Sequence, residues 1–156
     1  MTNPPARTAK QRMRDTLHRL EHDEDTWVAT ADGDGDGGAP YLVPLSFLWD
    51  GETLLLATPA ASPTGRNLRA GGRARLGIGP TRDVVMIDGT VRTLEAAELA
   101  DGVADAFARR TGFDPRRLTT HYLYFSVTPQ RVQAWREANE IAGRDLMRDG
   151  EWLVAD

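Results

Sequence analysis

The 156 residues contain no cysteine, which excludes disulfides, thiol catalysis and thiolate-held metals or clusters. Lysine is almost missing: Lys10 stands alone among 19 basic residues, and the others are arginine. Histidine is scarce, and His18, His22 and His121 are scattered. His18 and His22 are one helical turn apart, but a metal needs three or four donors and no third is placed with them. No apolar run approaches the roughly 20 residues of a membrane span. The opening M-T-N-P-P-A-R-T-A-K also lacks the apolar core of a signal peptide. A cytoplasmic protein that does not enter a membrane is expected. The net charge of −4 argues against a general nucleic-acid binder, because a single-strand-binding barrel needs a basic groove with exposed aromatics. Ser46 and Ser126 lie in strand-like runs, not in the strand-to-helix elbow of a hydrolase. No catalytic side-chain set stands out.

What is present fits a soluble globular chain, with 40% hydrophobic and 27% charged residues. The length suits one domain over 1–156, large enough to bury a core without staples. Residues 1–8 are proline-rich and read as loose. Over 9–21 Met13, Leu17 and Leu20 recur at helical spacing, predicting a short amphipathic helix against the first strand. That strand is Thr26–Ala31. Asp32–Gly38 imitates the start of a calcium loop, with Asp32, Asp34 and Asp36 at alternate positions and Gly37 at the sixth. Its twelfth position is Val43 where a bidentate Glu is required, so it reads as a hairpin loop.

The organising stretch runs from Leu42 to Arg75. Tyr41–Trp49 and Thr53–Thr58 read as strands joined by Asp50-Gly51, a strong signal for a tight primed turn. Ser62 suits a helix N-cap, Pro63 the first helical position, and Gly71-Gly72 the stop. A two-turn helix therefore starts beside the end of a strand. Its free N–H groups and positive dipole end meet the Thr58, Ser62 and Thr64 hydroxyls and the Arg66 guanidinium, the parts of a phosphate site. Arg73 and Arg75 share one strand face, either extending an anion groove or forming a solvated surface.

Further strands are read over 73–79 and 84–94, with Gly89 a candidate bulge. A helix is read over 95–110, stopped by Gly112. Tyr122–Val127 and Arg131–Trp135 read as a hairpin around Thr128-Pro129-Gln130, and 138–147 as a short helix. Trp135 either stacks on a ring or fills a barrel mouth. Seven short strands with tight links favour a mainly β (α+β) fold, an antiparallel split barrel with peripheral helices. Its parts are a helix at 9–21, a barrel at 26–137 and a tail at 138–156. Tyr41, Val43, Leu45 and Phe47 alternate with Leu42, Pro44, Ser46 and Leu48. Both faces are largely apolar, which predicts a partner subunit on one of them.

These pieces together resemble the pyridoxamine 5′-phosphate oxidase-like, FMN-binding split-barrel proteins. The matching parts are the W-V-A-T strand, P-Y-L-V-P-L-S-F with its W-D-G turn, and T-P-x-x-S-x-x-x-R-N-L. The late Y-x-Y-F-S-V-T-P-Q-R-V-Q-A-W completes the set, so the resemblance covers Thr26 to Glu137. It implies a homodimer with two FMN sites at the interface. Val43, Pro44, Leu45 and Ser46 would lie along the isoalloxazine, while Thr58, Thr64, Gly65 and Arg66 would hold the phosphate. Ser62 and Asn67 complete the candidate set. Two departures argue against vitamin B6 oxidation itself. Tyr41 stands where the oxidase has a basic residue, and nothing after Trp135 supplies its Arg-x-His element. The expected activity is hydride transfer between a bound flavin and a small organic substrate. Alternatives are a reductase using the deazaflavin coenzyme F-420, to which the arginines over 66–82 would offer an acidic-tail site, and a non-catalytic flavin- or haem-binding protein. A flavin does the hydride chemistry itself, so missing catalytic residues are compatible with an enzyme.

Overall fold

A computed structural model describes residues 3–33 and 38–154. Its central feature is an antiparallel sheet that curls until one strand serves both of its edges. The strands are β1 (Asp25–Ala31), β2 (Pro40–Ser46), β3 (Leu48–Trp49), β4 (Leu54–Pro59), β5 (Arg73–Ile78), β6 (Val84–Leu94) and β7 (Tyr122–Trp135). They lie in the order β2-β1-β5-β6-β7-β4-β3. Since β2 and β3 are separated by Phe47 alone, the chain leaves β1 at one end of that order and joins β4 at the other. Phe47 is fully buried at this corner, and its N–H donates to the Glu24 carbonyl at 3.0 Å. The result is the expected split barrel.

The interior follows from period-two alternation. In β1 Thr26, Val28 and Thr30 point inward, and in β5 Ala74, Leu76 and Ile78 do so. Leu56, Ile87, Phe125 and Val127 complete the floor of the core. Gly89 on β6 lies where a Cβ would strike Val127 Cγ1 and the Thr128 carbonyl, so the strand crossing there requires glycine. The register of β6 with β7 shifts between Asp88 and Gly89, leaving Gln130 as the extra residue.

Several sequence expectations are corrected. Tyr122–Val127 and Arg131–Trp135 are one 14-residue strand, β7, and not a hairpin. The Thr128-Pro129-Gln130 segment is its bulge, where a missing proline N–H is tolerated. Asp50-Gly51 is not a two-residue turn. Trp49 pairs with Leu54 across a four-residue loop, and Asp50 Oδ1 accepts from the N–H groups of Glu52 and Thr53 at 2.8 and 2.6 Å. The helix expected over 95–110 divides into a 3₁₀ turn, Ala96–Glu98, and α3 (Val103–Thr111), because Gly102 adopts a φ of 82°. Phe107 of α3 meets Tyr124 of β7 edge to face, with ring centroids 5.6 Å apart, under a second small apolar cluster. The tail is not a helix over 138–147. It forms a 3₁₀ turn, Ala138–Glu140, then a hairpin of β8 (Asp145–Arg148) and β9 (Glu151–Trp152), with β8 paired to β7.

The first helix, α1 (Ala9–His22), is capped by Thr8, whose hydroxyl accepts from the Gln11 N–H. It packs on β7, β8 and β3, not chiefly on β1. The expectation of a loose N-terminus fails at Arg7. Its guanidinium is 5% exposed and grips the buried Glu140 carboxylate through Nη2–Oε1 at 2.8 Å and Nε–Oε2 at 3.0 Å. Arg12 of α1 also donates to the Ala134 and Glu140 carbonyls. The calcium-like positions Asp34, Asp36 and Gly37 lie outside the described residues.

Candidate functional site

The short helix α2 (Pro63–Gly71) forms as its residues dictate. Ser62 is the N-cap and its Oγ accepts from the Gly65 N–H at 3.0 Å. Pro63 opens the first turn, and Gly72, with a φ of 64°, closes the last. No acidic residue sits in the first turn. The helix dipole therefore meets no anion from its own sequence.

At this corner, hydroxyls and a cation converge. Thr58, the penultimate residue of β4, places Oγ1 3.3 Å from Ser62 Oγ. Ser62 Oγ also donates to the Pro59 carbonyl at 2.8 Å, which fixes the loop joining strand to helix. Gly65 is the key to this closeness. A Cβ there would fall on the Pro59 carbonyl oxygen and within 3.0 Å of the Ala60 oxygen. Only glycine lets the first turn seat so tightly on the end of β4. Thr64 and Thr58 are buried at 2% and 5% exposure, while Arg66 stands at the surface. Arg66 Nη1 donates to the Ala61 carbonyl at 2.6 Å, so the guanidinium curls back over the loop before the helix.

Not every predicted residue joins this cluster. Asn67 turns away and donates from Nδ2 to Thr30 Oγ1 at 3.1 Å, tying α2 to β1. Val43, Pro44, Leu45 and Ser46 lie on β2, which α2 contacts. Val43 and Leu45 pack against the core, and Pro44 is exposed. Ser46 Oγ donates to Asp25 Oδ1 at 2.7 Å. Sequence reasoning missed Arg69. Its Nη2 donates to the Ala60 carbonyl at 2.6 Å, so Arg66 and Arg69 bracket the same loop. Their i,i+3 spacing was the available signal.

The Thr58 and Ser62 hydroxyls, the N-terminus of a nine-residue helix and an exposed guanidinium, with no acidic residue in the helix's first turn, make a polar corner suited to a phosphate monoester. The glycine-dependent closeness of strand and helix brings the donors together. The family model described as pyridoxamine 5′-phosphate oxidase matches residues 13–136. The chain belongs to this family. No curated protein matches it.

Solved structures share the oxidase-family fold at low identity. A protein called F420 reductase is 18% identical over 74% of this chain and 93% of its own, with a TM-score of 0.58. A pyridoxamine 5′-phosphate oxidase-related, FMN-binding protein from Nostoc punctiforme is 14% identical, covering 86% of each chain, with a TM-score of 0.53. An FAD-binding protein from Mesorhizobium loti is 18% identical over 77% of this chain and 89% of its own, with a TM-score of 0.61.

The outer face of the barrel carries a second feature. Across the strands Pro44, Trp27, Gly77 and Met86 fall in one row. Trp27, Leu42 and Tyr41 are 52%, 59% and 40% exposed. Trp27 and Leu42, with Met86 and Trp135, border an apolar groove of about 390 Å³. Trp135 thus faces outward at the end of β7 and does not fill the barrel mouth, with Arg144 Cζ 5.4 Å from its ring centroid. Arg73 and Arg75 both face outward, and Arg75 Nε lies 3.6 Å from Asp88. No helix among the described residues is long and apolar enough to cross a membrane.

Proposed function

We propose that this chain is a flavin-dependent oxidoreductase that holds FMN at the β4–α2 corner and exchanges hydride between the flavin and a small organic substrate. The observation that carries the reading is the hydroxyl-and-guanidinium cluster at the Ser62-capped helix, in a chain of this family. Thr58, Ser62, Thr64 and Arg66 would hold the phosphate, with the Gly65 backbone providing the close seat. The β2 segment Val43–Ser46, alongside α2, would flank the ring system. The flavin supplies the hydride chemistry when bound. The chain's own part is to fix the phosphate, orient the ring and exclude water from it. Arg69 and Arg66 hold the 59–62 loop in the shape this requires.

A second copy of the chain is the partner proposed for the Trp27 face. Trp27 projects beside Gly77, whose missing side chain leaves a hollow bordered by Met86. A knob next to a hollow on one patch is what a two-fold, self-complementary contact uses. Exposed apolar residues clustered in this way favour burial.

Use of the deazaflavin coenzyme F-420 is a second reading, favoured by one observation. Arg73 and Arg75 border a shallow outward cleft of about 270 Å³, where an acidic tail would find cations. The absorption spectrum of the purified protein, before and after adding each coenzyme, separates the readings. Flavin bands with turnover by NAD(P)H and a quinone support the first. A deazaflavin band alone supports the second. A Soret band, or a bound flavin that never turns over, would make the chain a carrier.

A further inference from the structure

The C-terminal segment folds back beside Trp135 and encloses a cleft of about 470 Å³ between β7, β8 and the bend at 141–144. Three guanidiniums line it, those of Arg131, Arg144 and Arg148, and Asp145 is the one carboxylate among its lining residues. Asp145 is fully engaged. Its Oδ1 accepts from Gln133 Nε2 at 2.8 Å and Arg131 Nη2 at 3.2 Å, and its Oδ2 from Arg148 Nη2 at 3.1 Å. These hydrogen bonds, the one from Gln133 foremost, keep its carboxyl below the ordinary range. Arg144 has only the Trp135 ring beneath it among the described residues. Asp149 and Glu151, on the adjoining hairpin, do not line the cleft. Three cations against one anion leave two positive charges in one concavity. Like charges drawn together repel, and a bound anion offsets that repulsion. Ile141 and Leu153, 41% and 49% exposed, supply an apolar border.

We propose that this cleft is a binding site for a dianionic oxyanion attached to an apolar group, held by Arg131, Arg144 and Arg148. Two uncompensated charges select a dianion over a monoanion, and planar guanidinium forks suit the oxygens of a phosphate or a pair of carboxylates. The Ile141 and Leu153 side chains would cover the apolar part. The site lies on elements other than the β4–α2 corner and does not rest on the flavin reading.

The test is calorimetric titration of the whole chain, without added flavin, by phenyl phosphate, inorganic phosphate, phthalate and benzoate. Tryptophan fluorescence is followed in parallel, with Trp135→Phe assigning the signal. Saturable binding of phenyl phosphate or phthalate, tighter than that of benzoate, is expected, and the better of the two names the source of the charge. Inorganic phosphate should bind more weakly than phenyl phosphate, for want of the apolar part. Arg144→Gln and Arg148→Gln should each weaken binding by roughly ten- to a hundredfold. Asp145→Asn should tighten it, because the competing carboxylate is removed, whereas a cleft that merely loosened would bind worse. If Asp145→Asn fails to fold, the two arginine variants decide. Absence of saturable binding, benzoate binding as tightly as the dianions, indifference to both arginine substitutions, or weaker binding by folded Asp145→Asn overturns the proposal.

Discussion

Replacing Arg7 with alanine should destabilise the protein far more than its place in a proline-rich leader suggests. The Arg7 and Glu140 side chains are 5% and 3% exposed and meet through two parallel hydrogen bonds. The Arg7 backbone N–H also donates to Glu140 Oε2 at 2.8 Å, and the Arg136 N–H donates to Oε1 at 2.8 Å. Truncating the arginine leaves a buried carboxylate without its cation, a loss of about 3–5 kcal/mol. The pH dependence has a definite sign. Glu140 is lowered from 4.5 to about 2, chiefly by the Arg7 side-chain hydrogen bond. A depressed carboxyl contributes stability that is fully present above its unfolded value and is lost as pH falls through the folded one. The shift corresponds to about 3 kcal/mol, present at neutral pH and draining away between about pH 4.5 and 2. Urea unfolding of wild type and Arg7→Ala at pH 7 and pH 3 measures this. The gap in unfolding free energy should be several kcal/mol at pH 7 and shrink by roughly half or more at pH 3. Equal stabilities at pH 7, or a gap indifferent to pH, would refute the account of this latch.

Gly65→Ala should lose about 1–3 kcal/mol to the clash with the Pro59 and Ala60 carbonyls, despite up to about 1 kcal/mol of helix propensity gained. A higher urea midpoint would show that the turn is not so closely seated. Trp27→Asp should leave the far-ultraviolet circular dichroism unchanged while converting a dimer to a monomer in sedimentation velocity. A wild type that is already monomeric at micromolar concentration removes the proposed partner. Phe107→Ala should cost about 3–5 kcal/mol, since Phe107 is 1% exposed and holds α3 on Tyr124. A loss under about 1 kcal/mol would mean that α3 is only loosely attached.

How far the fold was legible depended on whether the signal was local. β6 has the bounds expected of it, Val84–Leu94, and α2 is legible in Ser62, Pro63 and the paired glycines, because cap and turn chemistry acts within a few residues. The misreadings arose where a distant partner decides. Thr128-Pro129-Gln130 looks like a turn, yet β6 runs past it and holds β7 as one strand, so the irregularity is absorbed as a bulge. Asp-Gly was read as a tight turn at the wrong place. At Asp50-Gly51 the Asp50 carboxylate organises a wider loop. Asp149-Gly150, with φ of 51° and 80°, is the true two-residue connection between β8 and β9. The alanine-rich run after Leu94 carries helical periodicity, but Gly102 breaks it. Arg7 was invisible because its partner is 133 residues away.

The candidate site was partly legible for the same reason. Ser62, Gly65 and Arg66 sit within one turn, and their convergence with Thr58 needs only the strand before the helix. Asn67 is drawn off by Thr30 on β1, a contact that no local pattern carries. Arg69 takes the neighbouring place on the loop instead.

Titration of wild type and Arg66→Ala with FMN, followed by quenching of flavin fluorescence, tests the central claim most directly. Arg66 is exposed, and among the described residues its side chain hydrogen-bonds to the Ala61 carbonyl alone, so its removal should leave the unfolding midpoint nearly unchanged. A charge-assisted contact with the phosphate contributes about 1.5–3 kcal/mol. The wild type should therefore bind FMN below about 100 micromolar, and the variant roughly ten- to a hundredfold more weakly. Equal affinity in the two proteins, or no binding by wild type in that range, would contradict the assignment of the β4–α2 corner as the phosphate seat.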